Sequence, residues 1–179
     1  MNKFIMAALM IYSMCLLTGC ATQIQPSGQI NQPPQITFEN FKNIQLNKIT
    51  LPAKYAGQAA NEKAIAKIDL LLMEKVRVIY PELNGPVTAG KTLVIAPEII
   101  DIKFIGGAAR FWVGPMAGSS AVLMKVKFID KDTGNTIAFP EFYSKCSAWA
   151  GAFSVGGNDN AMLHRVASSA TAYISTHRR

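Results

Sequence analysis

Ala121-Val122-Leu123-Met124-Lys125-Val126-Lys127-Phe128-Ile129-Asp130 is the stretch on which the fold class turns. Val122, Met124, Val126 and Phe128 alternate with Lys125 and Lys127, the period of two expected of a strand with one face on a core and the other in water. Asp132-Thr133-Gly134-Asn135 follows and has the composition of a hairpin turn. Thr136 to about Cys146 then reads as the returning strand. Pro140 within it marks an edge or a bulge, because proline has no amide hydrogen to give a ladder.

Outward from this hairpin, Thr92 to Ile105 predicts a long strand on the N-terminal side. Its first half is apolar on both faces, and its second half sets Ile100, Ile102 and Phe104 against Asp101 and Lys103. Before it, Gln58 to Tyr80 predicts a helix. Ile65, Ile68, Leu72 and Ile79 recur at helical spacing, with Glu62, Lys63, Lys67, Glu74 and Arg77 for the wet side. Pro81 ends it, and Asn84-Gly85-Pro86 makes a turn. Phe41 to Leu51 gives a weaker first strand, with Ile44 and Leu46 in step, Ile49 and Leu51 out of step, and Pro52 as its close. On the C-terminal side, Asn158 or Asp159 can cap a last helix lined by Met162, Val166, Ala170, Tyr173 and Ile174. His177-Arg178-Arg179 sits at its negative end, where cations are favoured. The order strand, helix, three strands, helix predicts an α+β two-layer domain. Its sheet is mixed or antiparallel, of about four strands, with both helices on one face.

Two glycine-rich segments interrupt this regularity, Gly106 to Gly118 and Ala148 to Gly157. In a meander the first joins the second and third strands, the second leaves the fourth, and the hairpin turn lies at the far end. Both segments therefore emerge at one end of the sheet. They carry Arg110, Phe111, Trp112, Met116, Trp149 and Phe153. Large apolar groups on loops either pack on one another as a satellite core or form a contact surface for a partner or a membrane. Arg110 can pair with an acidic partner or stack on Trp112. The run from Gly106 to Gly118, the apolar strand after it, and Ile129-Asp130-Lys131-Asp132-Thr133-Gly134-Asn135 together resemble an uncharacterised family of bacterial envelope lipoproteins, domain of unknown function 4410. The resemblance extends from roughly Ile44 to the C-terminus. It implies a fold and an envelope location, and lends no activity, substrate or catalytic residue.

The N-terminus points to the same place. Lys3 precedes an uncharged, mostly apolar run from Phe4 to Leu17, which closes on Leu17-Thr18-Gly19-Cys20. About 14 apolar residues fall short of the roughly 18–20 that span a bilayer, so the run reads as a cleavable export segment. Small residues directly before a cysteine look like a bacterial lipoprotein signal. That resemblance implies a chain processed to Cys20, with diacylglycerol on its thiol and a further acyl chain on its amine; two or three chains hold durably where one holds marginally. Ala21, not Asp, follows the cysteine, which by the same resemblance favours the outer membrane, facing the periplasm or the cell surface. The expected organisation is a signal peptide at 1–19, a lipidated and flexible tether at 20–35, and one domain at 36–179. The tether is rich in Gln, Pro, Ser and Asn and offers little to bury.

Half of the 179 residues are hydrophobic and 16% charged, the balance of a globular chain. The net charge of +7 suits anionic head groups or acidic envelope polymers, or is an ordinary lysine surface. No run of Lys and Arg makes a nucleic-acid stripe. Once Cys15 leaves with the signal and Cys20 is acylated, Cys146 stands alone, a buried small residue or a site of intermolecular exchange.

Catalytic chemistry finds little footing. Gly85-Pro86-Val87-Thr88-Ala89-Gly90-Lys91-Thr92 matches the pattern G-x-x-x-x-G-K-[ST], but a phosphate-binding loop follows a strand and opens a helix, and here a helix precedes and Leu93-Val94-Ile95 follows. A turn into a strand explains the same residues, and no nucleotide is expected. His164 and His177 lie thirteen apart with no second cysteine beside them, so no metal is expected. Ser154 lacks the first glycine of a nucleophile elbow, which leaves Asp159 and His164 without a triad. The expected function is non-enzymatic and without cofactor: a lipid-anchored accessory or assembly domain that binds an envelope protein partner, or alternatively a module for an envelope lipid or glycan. Trp and Arg dominate binding hot spots, which singles out Arg110 and Trp112.

Overall fold

The computed structural model describes residues 24–105, 119–146 and 157–179. Its strands are β1 (Asn43–Leu46), β2 (Thr92–Lys103), β3 (Ser120–Asp130), β4 (Thr136–Ala138) and β5 (Glu141–Cys146), and its α-helices are α1 (Ala59–Ile79) and α2 (Gly157–Thr176). β1 pairs with β2 in parallel, as the crossover through α1 requires, and β2 pairs with β3 antiparallel. β4 and β5 both pair antiparallel with β3. The fold is α+β with one mixed sheet, as the sequence order predicts. The single returning strand expected from Thr136 to Cys146 is two strands. Phe139 and Pro140 are the break, although the Pro140 carbonyl still accepts from the Val126 N–H at 3.1 Å.

Both helices cover one face. α1 buries Ala64, Ile65, Ile68, Leu71, Leu72 and Val76, and α2 buries Met162, Leu163, Val166, Ala167, Ala170 and Ile174. Opposite them stand Leu93, Ile95 and Ile99 of β2 and Val122, Met124, Val126 and Phe128 of β3. Phe38 stacks on Phe128 with ring centroids 4.7 Å apart, and Tyr173 packs 5.6 Å from Phe128. α2 begins at Gly157, one residue ahead of the expected cap, a shift within the ordinary fraying of helix ends. The basic C-terminus serves both helices. His177 Nδ1 lies 2.8 Å from the Tyr173 carbonyl oxygen, and the Arg178 guanidinium donates to the Ile79 carbonyl at 2.6 Å, at the negative end of α1.

Two irregularities correct the expected strand patterns. β1 is shorter than Phe41 to Leu51 because its ladder lapses after Asn47 and resumes only at Thr50, beside Glu98. Between them the Ile49 N–H turns to the Asp69 carboxylate of α1 at 3.1 Å, which is where the alternation loses step. In β2 the register shifts between Ile99, opposite Met124, and Asp101, opposite Leu123. Ile100 is the extra residue of a bulge. Ile102 therefore joins the main core with Phe104 at its margin, while Ile100 packs on the other face of the sheet.

Residues 24–35, expected as a free tether, form a strap along the β4–β5 edge. Asn31 Nδ2 donates to the Glu141 carbonyl at 2.8 Å, and the Glu141 N–H donates back to Asn31 Oδ1 at 2.7 Å. The Ser27 N–H and hydroxyl both donate to Glu141 Oε1, at 2.7 and 3.0 Å. The Gln35 N–H donates to the Ile137 carbonyl at 2.9 Å, and the Tyr173 hydroxyl to the Gln32 carbonyl at 2.7 Å. Ile24 is buried against Ala121 and Leu123 on the face the helices leave open. A polar segment needs no core of its own to be held here, because an edge strand carries outward backbone groups that want partners. Asn84 closes the other edge in the same way. Its side chain accepts from the Leu46 N–H at 2.8 Å and donates to the Leu46 carbonyl at 3.2 Å, while its own N–H donates to the Ile44 carbonyl at 3.0 Å. Among the described residues no helix is long and apolar enough to cross a membrane.

Candidate interaction surface

β2 and β5 finish, and β3 begins, side by side. Lys103 is paired with Ala121, and Ser120 with Cys146. The strand ends that flank the two glycine-rich segments are thus neighbours, as the meander requires. Arg110, Phe111, Trp112, Met116, Trp149 and Phe153 themselves lie outside the described residues, as does Cys20. The surface must be built from what surrounds them.

At this end the first turn of α1 meets the end of β2. Asn61, buried, accepts the Phe104 N–H on its Oδ1 at 2.9 Å and donates from Nδ2 to Gln58 at 2.8 Å. The Ile105 N–H donates to the Ser120 hydroxyl at 3.1 Å. These bonds fix where the chain departs from the sheet. Beside them, a cleft of about 460 Å³ is lined by Ile24, Tyr55, Gln58, Asn61, Asp101 and Phe104 among others. The Tyr55 hydroxyl donates to the Asp101 carboxylate. Lys54 lies 4.0 Å from the same carboxylate and 4.7 Å above the Tyr55 ring. The bond to Tyr55 and the charge of Asp101 raise the pKa of Lys54 above its ordinary value. The group is a compact polar clamp.

The helix-free face reads in rows across β2, β3 and β5. Glu98, Lys125 and Glu141 form one row, and Lys103, Ala121 and Lys145 another, at the end where Ile24 docks. Lys127 pairs with Glu98 at 3.0 Å and Lys125 with Glu141 at 3.8 Å, while both ammonium groups hang over the Phe139 ring at 5.1 and 5.2 Å.

The remaining sequence candidates fall elsewhere. Gly85 to Thr92 joins α1 to β2, the reverse of the strand-then-helix order. Asn43 takes up its polar groups, accepting from the Thr88 N–H at 2.8 Å and donating to the Thr88 and Gly90 carbonyls at 2.9 and 3.1 Å, and Lys91 pairs with buried Asp130 at 3.4 Å. Among the described residues no three His, Cys, Asp or Glu side chains converge as metal ligands. His164 is exposed on α2, and Cys146 is buried. Ser154 and the Asp159 side chain lie outside the described residues. Ile24, Tyr55 and Asp101 had no signal in the sequence. Ile24 and Ile30 look alike in the strap, yet one is buried and the other 85% exposed.

No protein-family model matches the chain, so the resemblance to domain of unknown function 4410 stands on the quoted residues alone. No curated protein matches it either. Among solved structures, a PelC dodecamer from Paraburkholderia phytofirmans is similar at 8% identity and a TM-score of 0.46, over 78% of this chain and 92% of that one. A hypothetical protein from Chlamydia trachomatis is similar at 9% identity and 0.46, over 74% and 97%. A minor lipoprotein from Acinetobacter baumannii is similar at 13% identity and 0.38, over 77% and 93%. Likenesses at these identities and scores assign neither activity nor partner to this chain.

Proposed function

We propose that this chain is a lipid-anchored, non-catalytic domain of the bacterial outer membrane, facing the periplasm, that binds an envelope protein partner. The observation that carries the reading is a coincidence of place. The ends of β2, β3 and β5, from which both aromatic-bearing segments depart, adjoin the point where Ile24 docks, four residues beyond the cysteine of the lipoprotein-like signal. The docking point of Ile24 and the strand ends that flank both candidate segments thus share one end of the described sheet. Arg110 and Trp112 are the proposed hot spots, with Phe111, Met116, Trp149 and Phe153 as further proposed contacts.

Crosslinking in intact cells, followed by purification of the native chain and its Arg110→Ala/Trp112→Ala variant, tests this. The variant loses the captured envelope protein while keeping the wild-type melting midpoint. Equal capture by both proteins overturns the reading. The cleft at the same end sustains a second reading, a module for an envelope lipid or glycan, since its volume and mixed lining suit one small amphipathic group. A bound lipid or glycan surviving into native mass spectrometry favours it over the first.

A further inference from the structure

The strap fixes more than the edge of the sheet. Resting on the reading that Cys20 is acylated, we infer that the helix-free face around Ile24 lies against the phosphate head groups of the anchoring leaflet, with Lys103 and Lys145 as its contacts. From Cys20 to Ile24 the chain spans four residues, a reach of about 14 Å at full extension. The fifteen residues from Ala21 to Gln35 would reach roughly 50 Å if they were free. From Ile24 onward they are not free, because Ile24 is buried against Ala121 and Leu123 and the residues after it are bonded to β4 and β5. The domain is held close to the bilayer by one identifiable corner.

That corner has the charge to meet it. Lys103 and Lys145 flank Ala121 from the neighbouring strands, so all three side chains point to the face on which Ile24 sits. Both lysines are exposed, and among the described residues no carboxylate lies within ion-pair distance of either. The contrast along the same face is what makes the pair informative. Lys125 and Lys127, further from Ile24, are each neutralised by Glu141 and Glu98. Between these rows Asp101 is taken up by Lys54 and Tyr55, and among the described residues the row of Lys103 and Lys145 carries positive charge with no ion pair. Cations this near an anionic leaflet lie inside a Debye length of about 8–10 Å once the corner touches down, where each is attracted to the surface.

The test uses the full lipidated protein, reconstituted into vesicles of 3:1 phosphatidylethanolamine and phosphatidylglycerol or of phosphatidylcholine alone. A water-soluble amine-reactive label is followed residue by residue by mass spectrometry. Lys131 is the internal control, exposed and about 33 Å from Ala121 along β3. The expected result on the anionic vesicles is labelling of Lys103 and Lys145 slowed by about fivefold relative to Lys131, with the slowing lost on phosphatidylcholine or in 1 M salt. Equal rates for all three lysines on the anionic vesicles overturn the inference, and so does equal slowing on both vesicle types, which would mean proximity without charge recognition. Intact mass of the same sample separates the premise from the inference. An unmodified Cys20 removes the anchor and the inference with it, whereas an acylated Cys20 with unprotected lysines removes the inference alone.

Discussion

Asn31→Ala is the perturbation that most directly probes the strap. The amide of Asn31 makes two bonds to the backbone of Glu141, at 2.7 and 2.8 Å, in place of the strand that β5 lacks on that side. A neutral hydrogen bond contributes about 1 kcal/mol net, so the substitution weakens the strap by about 2 kcal/mol. At 1.4 kcal/mol per decade this is a roughly 30-fold rise in the population with the strap detached. The loss is local, since the core between sheet and helices contains no part of Asn31. The assay is native-state amide hydrogen exchange. The Glu141 amide, whose acceptor is deleted, exchanges about 30-fold faster in the variant, while amides in the middle of α1, such as that of Ile68, are unchanged. An unaltered Glu141 amide refutes the clamp. Glu141 and Ile68 accelerating together refutes the local character of the strap and makes it part of the global folding unit.

Four further outcomes are expected. Asn84→Ala costs about 3 kcal/mol in denaturant unfolding and Asn84→Gly about 2, because both lose the side-chain clamp on Leu46 but only alanine is strained at the φ of 57° that Asn84 adopts. Tyr80→Phe is neutral or stabilising by up to about 1 kcal/mol at pH 7, since among the described residues the buried Tyr80 hydroxyl has no hydrogen-bond partner; a clear loss in thermal melts would mean the hydroxyl is satisfied. Burial pushes the phenols of Tyr80 and Tyr173 up from 10 to about 12, so their contribution is intact below pH 10 and is lost as the pH rises toward 12; unfolding monitored across that window falls more steeply for wild type than for Tyr80→Phe. Phe128→Ala removes the ring stacked on Phe38 and costs about 3–5 kcal/mol, read as a collapse of the unfolding midpoint.

The architecture was legible wherever one face of an element meets the core without interruption. Ile65, Ile68 and Leu72 in α1, the inward set from Val122 to Phe128 in β3, and Met162 to Ile174 in α2 are periodic because burial is periodic, and each is buried as read. Legibility failed where polar groups or a single extra residue decide. Ile100 breaks the alternation of β2, and both choices of phase leave isoleucines on either face, so composition cannot locate the bulge. The strap reads as a tether in sequence because its attachment uses Asn31, Ser27 and backbone amides, groups that look the same whether they bond to water or to Glu141. The same blindness covers Asn43, Asn61 and Asn84, which stitch loops to strands without any periodic trace. As for the candidate surface, topology placed the two glycine-rich departures together, while the strap at their side came only from the structure.

The two asparagine clamps bear on how such a domain can assemble. A sheet with bare edges invites another chain to add a strand, and this sheet has two edges to protect. On β1, Asn84 takes the outward groups of Leu46 and the Ile44 carbonyl; on β5, Asn31 takes those of Glu141, and Arg165 of α2 donates to the Lys145 carbonyl at 3.0 Å. Strand addition at either side would first have to displace these bonds. The helices cover one face, and on the other the middle rows spend their charges on one another. The end where β2 and β5 finish and β3 begins is the one at which Ile24 docks. Removing the clamp should therefore shift more than stability. An Asn31→Ala domain gains an uncovered β5 edge and a longer leash at once, so it should self-associate in a concentration-dependent way that Asn31→Asp suppresses by placing a negative charge on that edge. Sedimentation of both variants alongside wild type decides the matter, and a monomeric Asn31→Ala protein at all concentrations would show that the strap guards nothing.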